Sequence, residues 1–126
     1  MQPKTLLDTD ILSALMRQHS QASGRAKTYL GDHATLTISL ITRFEILRGL
    51  KAKGANSQLA SFEVFCVKNE VLPLTDDIVV VAADIYAELH SRGQLIPDAD
   101  ILIAATARHY GLILATNNQR DFGRIT

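Results

Sequence analysis

Leu6-Leu7-Asp8-Thr9-Asp10-Ile11-Leu12 runs an apolar pair straight into two acids and starts a new apolar pattern at once. Two apolar residues are too few for a helix and read as the end of a buried strand. Asp10 then falls where a helix N-cap belongs, its side chain accepting from the first free backbone N–H groups. Asp8 is left at the carboxyl end of the strand without a structural task. In an open α/β sheet, the crevice beyond the carboxyl ends of the strands is where ligands bind. A turn merely shaped by two acids is the plain alternative, and it is stronger for Asp10 than for Asp8.

Outward from that strand, the pattern alternates. Ile11 to Arg17 reads as a short helix, Gln21 to Leu30 as a second one closed by Gly31, and Thr35 to Ile38 as a strand. Ser39 opens a helix that runs to about Lys53 and stops at Gly54. Asn56 caps another through Lys68, with Leu59, Phe62 and Phe65 on one face. Val71 to Leu74 is a short strand that Pro73 places at an edge or a strand end. Thr75 caps the longest helix, which Gly93 ends just beyond Arg92. Asp98 opens a helix that is apolar on nearly every side, from Ile101 to Ala107, and that should be buried against the sheet. Gly111 ends it, and Leu112 to Ala115 is the last strand. This alternation predicts an α/β fold, a central mostly parallel β-sheet flanked by helices on both faces, as one domain over residues 1–126. Right-handed crossovers bring every strand's carboxyl end to one edge. Asp8, Ser39 and Thr116 to Asn118 all lie at those ends.

Hydrophobic residues make up 47% of the chain and charged ones 21%, an ordinary globular balance. Thirteen basic and thirteen acidic side chains cancel. No global positive field draws in nucleic acid, so any such binding must rest on a local patch or a metal. The one cysteine, Cys66, forms no internal disulfide, which suits a reducing cytosol. Asp8 and Asp10 stand where a signal peptide needs an apolar run, and stretches such as Ile78 to Ala83 are too short to span a bilayer. A soluble cytoplasmic protein is expected.

Other acids could meet Asp8 at the same edge. Asp98 and Asp100 are two residues apart on one helix, so their side chains diverge. Asp98, after Pro97, is the better cap, while Asp100 leads the apolar face of Ile103, Ala104 and Ala107. The helix dipole favours an acid there, but a carboxylate at the head of so apolar a helix would be desolvated and its pKa raised. Thr42 to Glu45 fits a capping box, which would account for Glu45 by itself. Asn117, Asn118 and Asp121 are common turn formers; the functional reading adds an oxygen ligand from Asp121, supported by Asn118 and Thr116. Like charges converging on one edge repel, and a hard divalent cation is the simplest remedy. Oxygen ligands without a His or Cys cluster point to Mg²⁺ or Mn²⁺ rather than zinc. His19, His33, His90 and His109 are scattered and read as surface residues. No His is placed to activate the nearby Ser and Thr hydroxyls, which argues against a nucleophilic triad.

Taken as a set, Leu6 to Leu12, Ser39 to Gly49, Asp98 to Ala105 and Thr116 to Phe122 resemble the PIN-domain ribonucleases, and among them the VapC-type toxins of bacterial toxin–antitoxin pairs. The likeness covers nearly the whole chain. It implies a Mg²⁺- or Mn²⁺-dependent endoribonuclease that cuts structured RNA, leaves a 5′-phosphate and is held inactive by a small DNA-binding antitoxin. It also implies a homodimer, with the antitoxin's C-terminal segment over the acid edge. By position, Asp8, Glu45 and Asp100 match the family's three core acids, and the fourth falls at Asn118 or nearer Asp121. On that basis Asp8, Glu45, Asp100 and Asp121 are the expected catalytic residues. Asp8, Asp100 and Asp121 would hold metal; Glu45 would bind it through water or orient the attacking water; and Asp98, Thr116 and Asn118 would support them. Position 10 is often Asn in the family, so Asp10 departs from the pattern. The chain also stops soon after Phe122, where many relatives carry a short tail.

RNA contact is expected from Arg43 and Arg48, with Lys51 and Lys53 beside them, although a solvated helix face explains the two lysines as well. Leu12, Leu15, Leu30, Phe62 and Phe65 exceed what one small sheet needs and would mark partner surfaces. Three other readings remain: a PIN nuclease outside a toxin–antitoxin pair, a binding module with a degenerate site, and a phosphatase. Asp8-Thr9-Asp10 after a strand also resembles the haloacid-dehalogenase-like phosphatases, with Asp76-Asp77 as a later acid pair. The missing catalytic lysine and the Glu45 motif argue against that class.

Overall fold

A computed structural model describes residues 2–125; Met1 and Thr126, the ends of the expected 1–126 domain, lie outside the described residues. Strand β1 (Thr5–Leu7) forms from the apolar pair, and successive residues of a strand point to opposite faces. Leu7 therefore joins one core and Leu6 another. The other strands are β2 (Thr37–Ser39), β3 (Glu70–Leu72) and β4 (Ile113–Ala115). They lie in the order β3-β2-β1-β4, every pair parallel. Leu7 sits opposite Ile38 on one side and Ala115 on the other, which fixes the register of the site-bearing strands. Pro73 follows the edge strand β3, as the missing donor requires. The second strand starts two residues later than expected, at Thr37; the Leu36 N–H before it donates to the side chain of Asn69, just ahead of β3, at 2.9 Å.

Helices α1 (Thr9–Met16), α2 (Ser20–Leu30), α3 (Leu40–Lys53) and α4 (Asn56–Lys68) gather around Leu7, Leu12, Tyr29, Ile38, Ile46 and Phe62. On the opposite side α6 (Asp98–Tyr110) sets Ile103 and Ala107 against Leu6 and Leu72. Its other flank, Ile101, Ala104 and Ala105, packs against the stripe Ile78, Ala82, Ile85 and Leu89 of α5 (Asp76–Ser91). Covered on both flanks, α6 is the buried helix that its all-round apolar sequence predicts. Fully burying a side chain such as Ile103 contributes roughly 1.5–3 kcal/mol. Gly54 and Gly111 end α3 and α6 in the left-handed region, at φ 65° and 66°. There they let the Ala55 and Leu112 N–H groups reach back to Leu50 and Ala107. A short helix, α7 (Gln119–Phe122), closes the chain.

Several expectations are corrected. Leu12 and Phe62 are core, each 1% exposed, and only Leu30 of the supposed surplus is open to solvent. Asn56 is the first residue of α4 rather than its cap; Ala55 holds the cap position without a side-chain bond. His33 is no mere surface residue, since its ring stacks on Tyr29 and Nε2 meets the Gln2 carbonyl at 2.6 Å. His19 caps α2, its Nδ1 accepting from the Ala22 N–H. Among the described residues no helix is long and apolar enough to cross a membrane.

Candidate active site

Asp8, not Asp10, caps α1. The Asp8 N–H still donates to Ala115 of β4 at 2.9 Å, so the sheet holds the chain through Asp8 and the helix must begin immediately after it. Its Oδ1 accepts from the Thr9 N–H at 2.7 Å and its Oδ2 from the Thr116 hydroxyl at 2.7 Å. Only 4% of Asp8 is exposed. Burial pushes its carboxyl above the usual range, the bonds from Thr116 and Thr9 hold it back, and the charge and close pairing of the Asp10 carboxyl push it further. Asp10 lies in the first turn of α1. Its Oδ2 accepts from the Asn117 N–H at 3.1 Å, whereas its Oδ1 is buried without a hydrogen-bond partner.

The capping box expected at Thr42 does not form. Helix α3 starts at Leu40, and the Ser39 hydroxyl takes the Thr42 N–H at 3.0 Å. Glu45 therefore stands in the second turn, too far along the helix to cap it. Its Oε1 accepts from the Thr9 hydroxyl at 2.6 Å, and its Oε2 lies 3.4 Å from Arg48. The Thr9 and Thr42 hydroxyl oxygens are 3.1 Å apart, and those of Ser39 and Thr42 are 3.4 Å apart. One proton per hydroxyl, ending on an acceptor-only carboxylate, orders the run as Ser39 to Thr42 to Thr9 to Glu45. The basic residues of α3 split. Arg43 turns to Glu63 of α4, while Arg48, 60% exposed, stands beside Glu45 and over the Phe44 ring.

Asp98 does not cap α6 with its side chain. It is the exposed first residue of the helix, and Pro97 holds the cap position with no side-chain bond. Asp100 faces the edge. Its Oδ2 meets the Asn118 amide at 3.4 Å, and the same amide donates to Asp121 Oδ2 at 3.1 Å. Asn118 also caps α7, its Oδ1 accepting from the Asp121 N–H, and its own N–H donates to the Thr116 hydroxyl. The Asn118 amide thus spans the carboxylates of Asp100 and Asp121. Helix α7 was missed because four residues show no periodicity, although Asn three residues before Asp is its cap signature. Asp76 and Asp77 sit in the first turn of α5, beyond the edge strand β3.

The Asp100 carboxyl is raised from 3.8 to about 6, first by burial and then by the charges of Asp8, Asp121, Glu45 and Asp10. Four acids from three other stretches of chain thus act on one group. As placed, no three His, Cys, Asp or Glu side chains among the described residues stand close enough to enclose a metal ion together. Most of their oxygens are turned onto hydroxyls and amides instead. The donor set still fits a hard cation: every donor is oxygen, one buried oxygen has no partner, and the carboxylates repel. It suits a hard cation that keeps several waters and needs one or two carboxylates rather than a full protein cage.

The family model described as PIN domain matches residues 5–126. Ribonuclease VapC1 of Methanocaldococcus jannaschii is 33% identical over 97% of this chain and 81% of its own length. The tRNA(fMet)-specific endonuclease VapC of Shigella flexneri is 32% identical over 97% of this chain and 92% of its own. The crystal structure of DNA-bound VapBC from Salmonella typhimurium superposes with a TM-score of 0.85 at 29% identity, covering 98% of this chain and 93% of that one.

Proposed function

The chain belongs to the PIN-domain family, with VapC ribonucleases among its relatives, and from that premise we propose that it is a divalent-metal-dependent endoribonuclease. It acts on structured RNA as the toxin of a toxin–antitoxin pair, a single cytoplasmic domain that pairs with its own copy and with a small DNA-binding antitoxin. The observation that carries the chemistry is Asp100, whose carboxyl is pushed upward first by burial and then by four other acids from three other stretches of the chain. Asp8, Asp100 and Asp121 hold the cation. When bound, Mg²⁺ or Mn²⁺ supplies positive charge to the scissile phosphate and acidifies the attacking water.

The side chains divide the remaining work. Thr9 occupies Glu45 Oε1, while Oε2, 3.4 Å from Arg48, keeps a second lone pair to accept a hydrogen bond from the attacking water and aim it. Asn118 keeps Asp100 and Asp121 facing one another. The water oxygen joins the phosphorus, the 3′ oxygen leaves with a proton, and a 5′-phosphate remains. Arg48, free of any partner on α4, is placed to meet the RNA backbone.

Asp8→Asn tests this reading, because Asn caps a helix as well as Asp does; it removes the charge and the acceptor that the Thr116 hydroxyl uses. Incubated with bulk tRNA and Mg²⁺ or Mn²⁺, the variant should leave the RNA intact. Its metal-free melting midpoint should stay close to the wild type's, since relief of a carboxyl raised by burial offsets the lost Thr116 bond. Cleavage at the wild-type rate would refute the assignment.

A further inference from the structure

Asp10 is the acid that the reading above leaves without work. It does not cap α1, because Asp8 does. The helix dipole favours an acid in the first turn, yet it does not explain a buried oxygen with nothing to bond. Asp10 Oδ1 is the one buried side-chain nitrogen or oxygen without a partner among the described residues. Leaving such a carboxylate oxygen unmatched is strongly unfavourable, so a missing partner is the economical explanation. The position says what kind of partner. The Asn117 N–H pins Oδ2 to the loop after β4, and the charge of Asp10 reaches both Asp8 and Asp100. Its carboxylate pairs closely with that of Asp8, and a cation beside the two relieves their repulsion.

Resting on the metal reading above, we propose that Asp10 is a further acid of the metal site, its free Oδ1 turned to the cation directly or through one water. The chain would then bring one more negative charge to the ion than Asp8, Asp100 and Asp121 supply. Asp10→Asn isolates that charge. The amide oxygen still accepts from the Asn117 N–H, so a purely structural role survives the change.

Mn²⁺ is titrated by calorimetry into the full-length wild type, Asp10→Asn and Asp100→Asn, and melting is followed with and without Mn²⁺. Asp10→Asn should bind Mn²⁺ about 10–100-fold more weakly. Its metal-free midpoint should not fall, and its rise on adding Mn²⁺ should shrink. Affinity within about twofold of wild type, with binding weakened in Asp100→Asn, would overturn the role of Asp10 and leave the metal site standing. No Mn²⁺ binding by the wild type would overturn the metal reading and this inference together. If Asp10→Asn does not fold, Asp10→Ser, which also keeps an oxygen in the first turn, is measured in its place against the same two outcomes.

Discussion

Asp100 releases its proton near 3.8 in the unfolded chain and near 6 in the folded one. Between those values the folded state binds more protons, so stability falls as pH rises through the window and is regained on acidification. Asp8 shifts the same way. Glu63 beside Arg43 and Glu70 beside Lys4 shift downward, so their contribution holds above about 4.5 and fades below it. The metal-free protein should therefore melt a few degrees higher at about pH 5.5 than at about pH 7.5. Asp100→Asn, or saturating Mg²⁺, should flatten that rise in a calorimetric series. A midpoint that drops steadily over the same range would contradict the raised titration. Asp100 was legible because an acid heading a wholly apolar helix cannot be well hydrated. The task of Asp8 was not. Two acids two residues apart both suit a cap, and the choice is made by Ala115 at the far end of the chain, which holds the Asp8 N–H in the sheet.

Some elements followed local signals in the sequence directly. The Thr75 cap and the Gly54, Gly93 and Gly111 stops all form as read. Glu45 misled because its box with Thr42 was locally complete, while the Ser39 hydroxyl, at the end of a strand, takes the N–H that defines the start of α3. That difference is measurable. A box at Thr42 makes Ser39 dispensable, whereas the observed cap makes Ser39→Ala destabilise the fold by about 1 kcal/mol. Urea denaturation reads it, and an unchanged midpoint would restore the box. Ser39 is 1% exposed, so water cannot replace its oxygen. The change should also loosen the hydroxyl run that ends on Glu45.

For the whole molecule, zero net charge conceals a strong local imbalance: five acids share one sheet edge, with Arg48 the nearby cation. A groove of about 650 Å³ leads to it between α1, α3 and α4, lined by Leu12, Met16, Ile46, Phe62 and Phe65 and reaching Thr9 and Glu45 at the edge. An antitoxin segment with an apolar face can lie in that groove and carry a basic side chain, Arg above all, to the carboxylates. Arg and cation would then compete for the same negative charge. If binding is exclusive, the peptide's apparent affinity falls in proportion to metal once metal exceeds its own dissociation constant. The antitoxin's C-terminal peptide should therefore inhibit cleavage less as Mg²⁺ or Mn²⁺ is raised. Light scattering should find the free toxin dimeric at tens of micromolar, and a monomer there would remove the pairing of copies. Inhibition indifferent to metal would remove the competition: the segment would then act by filling the groove and keeping RNA from the edge.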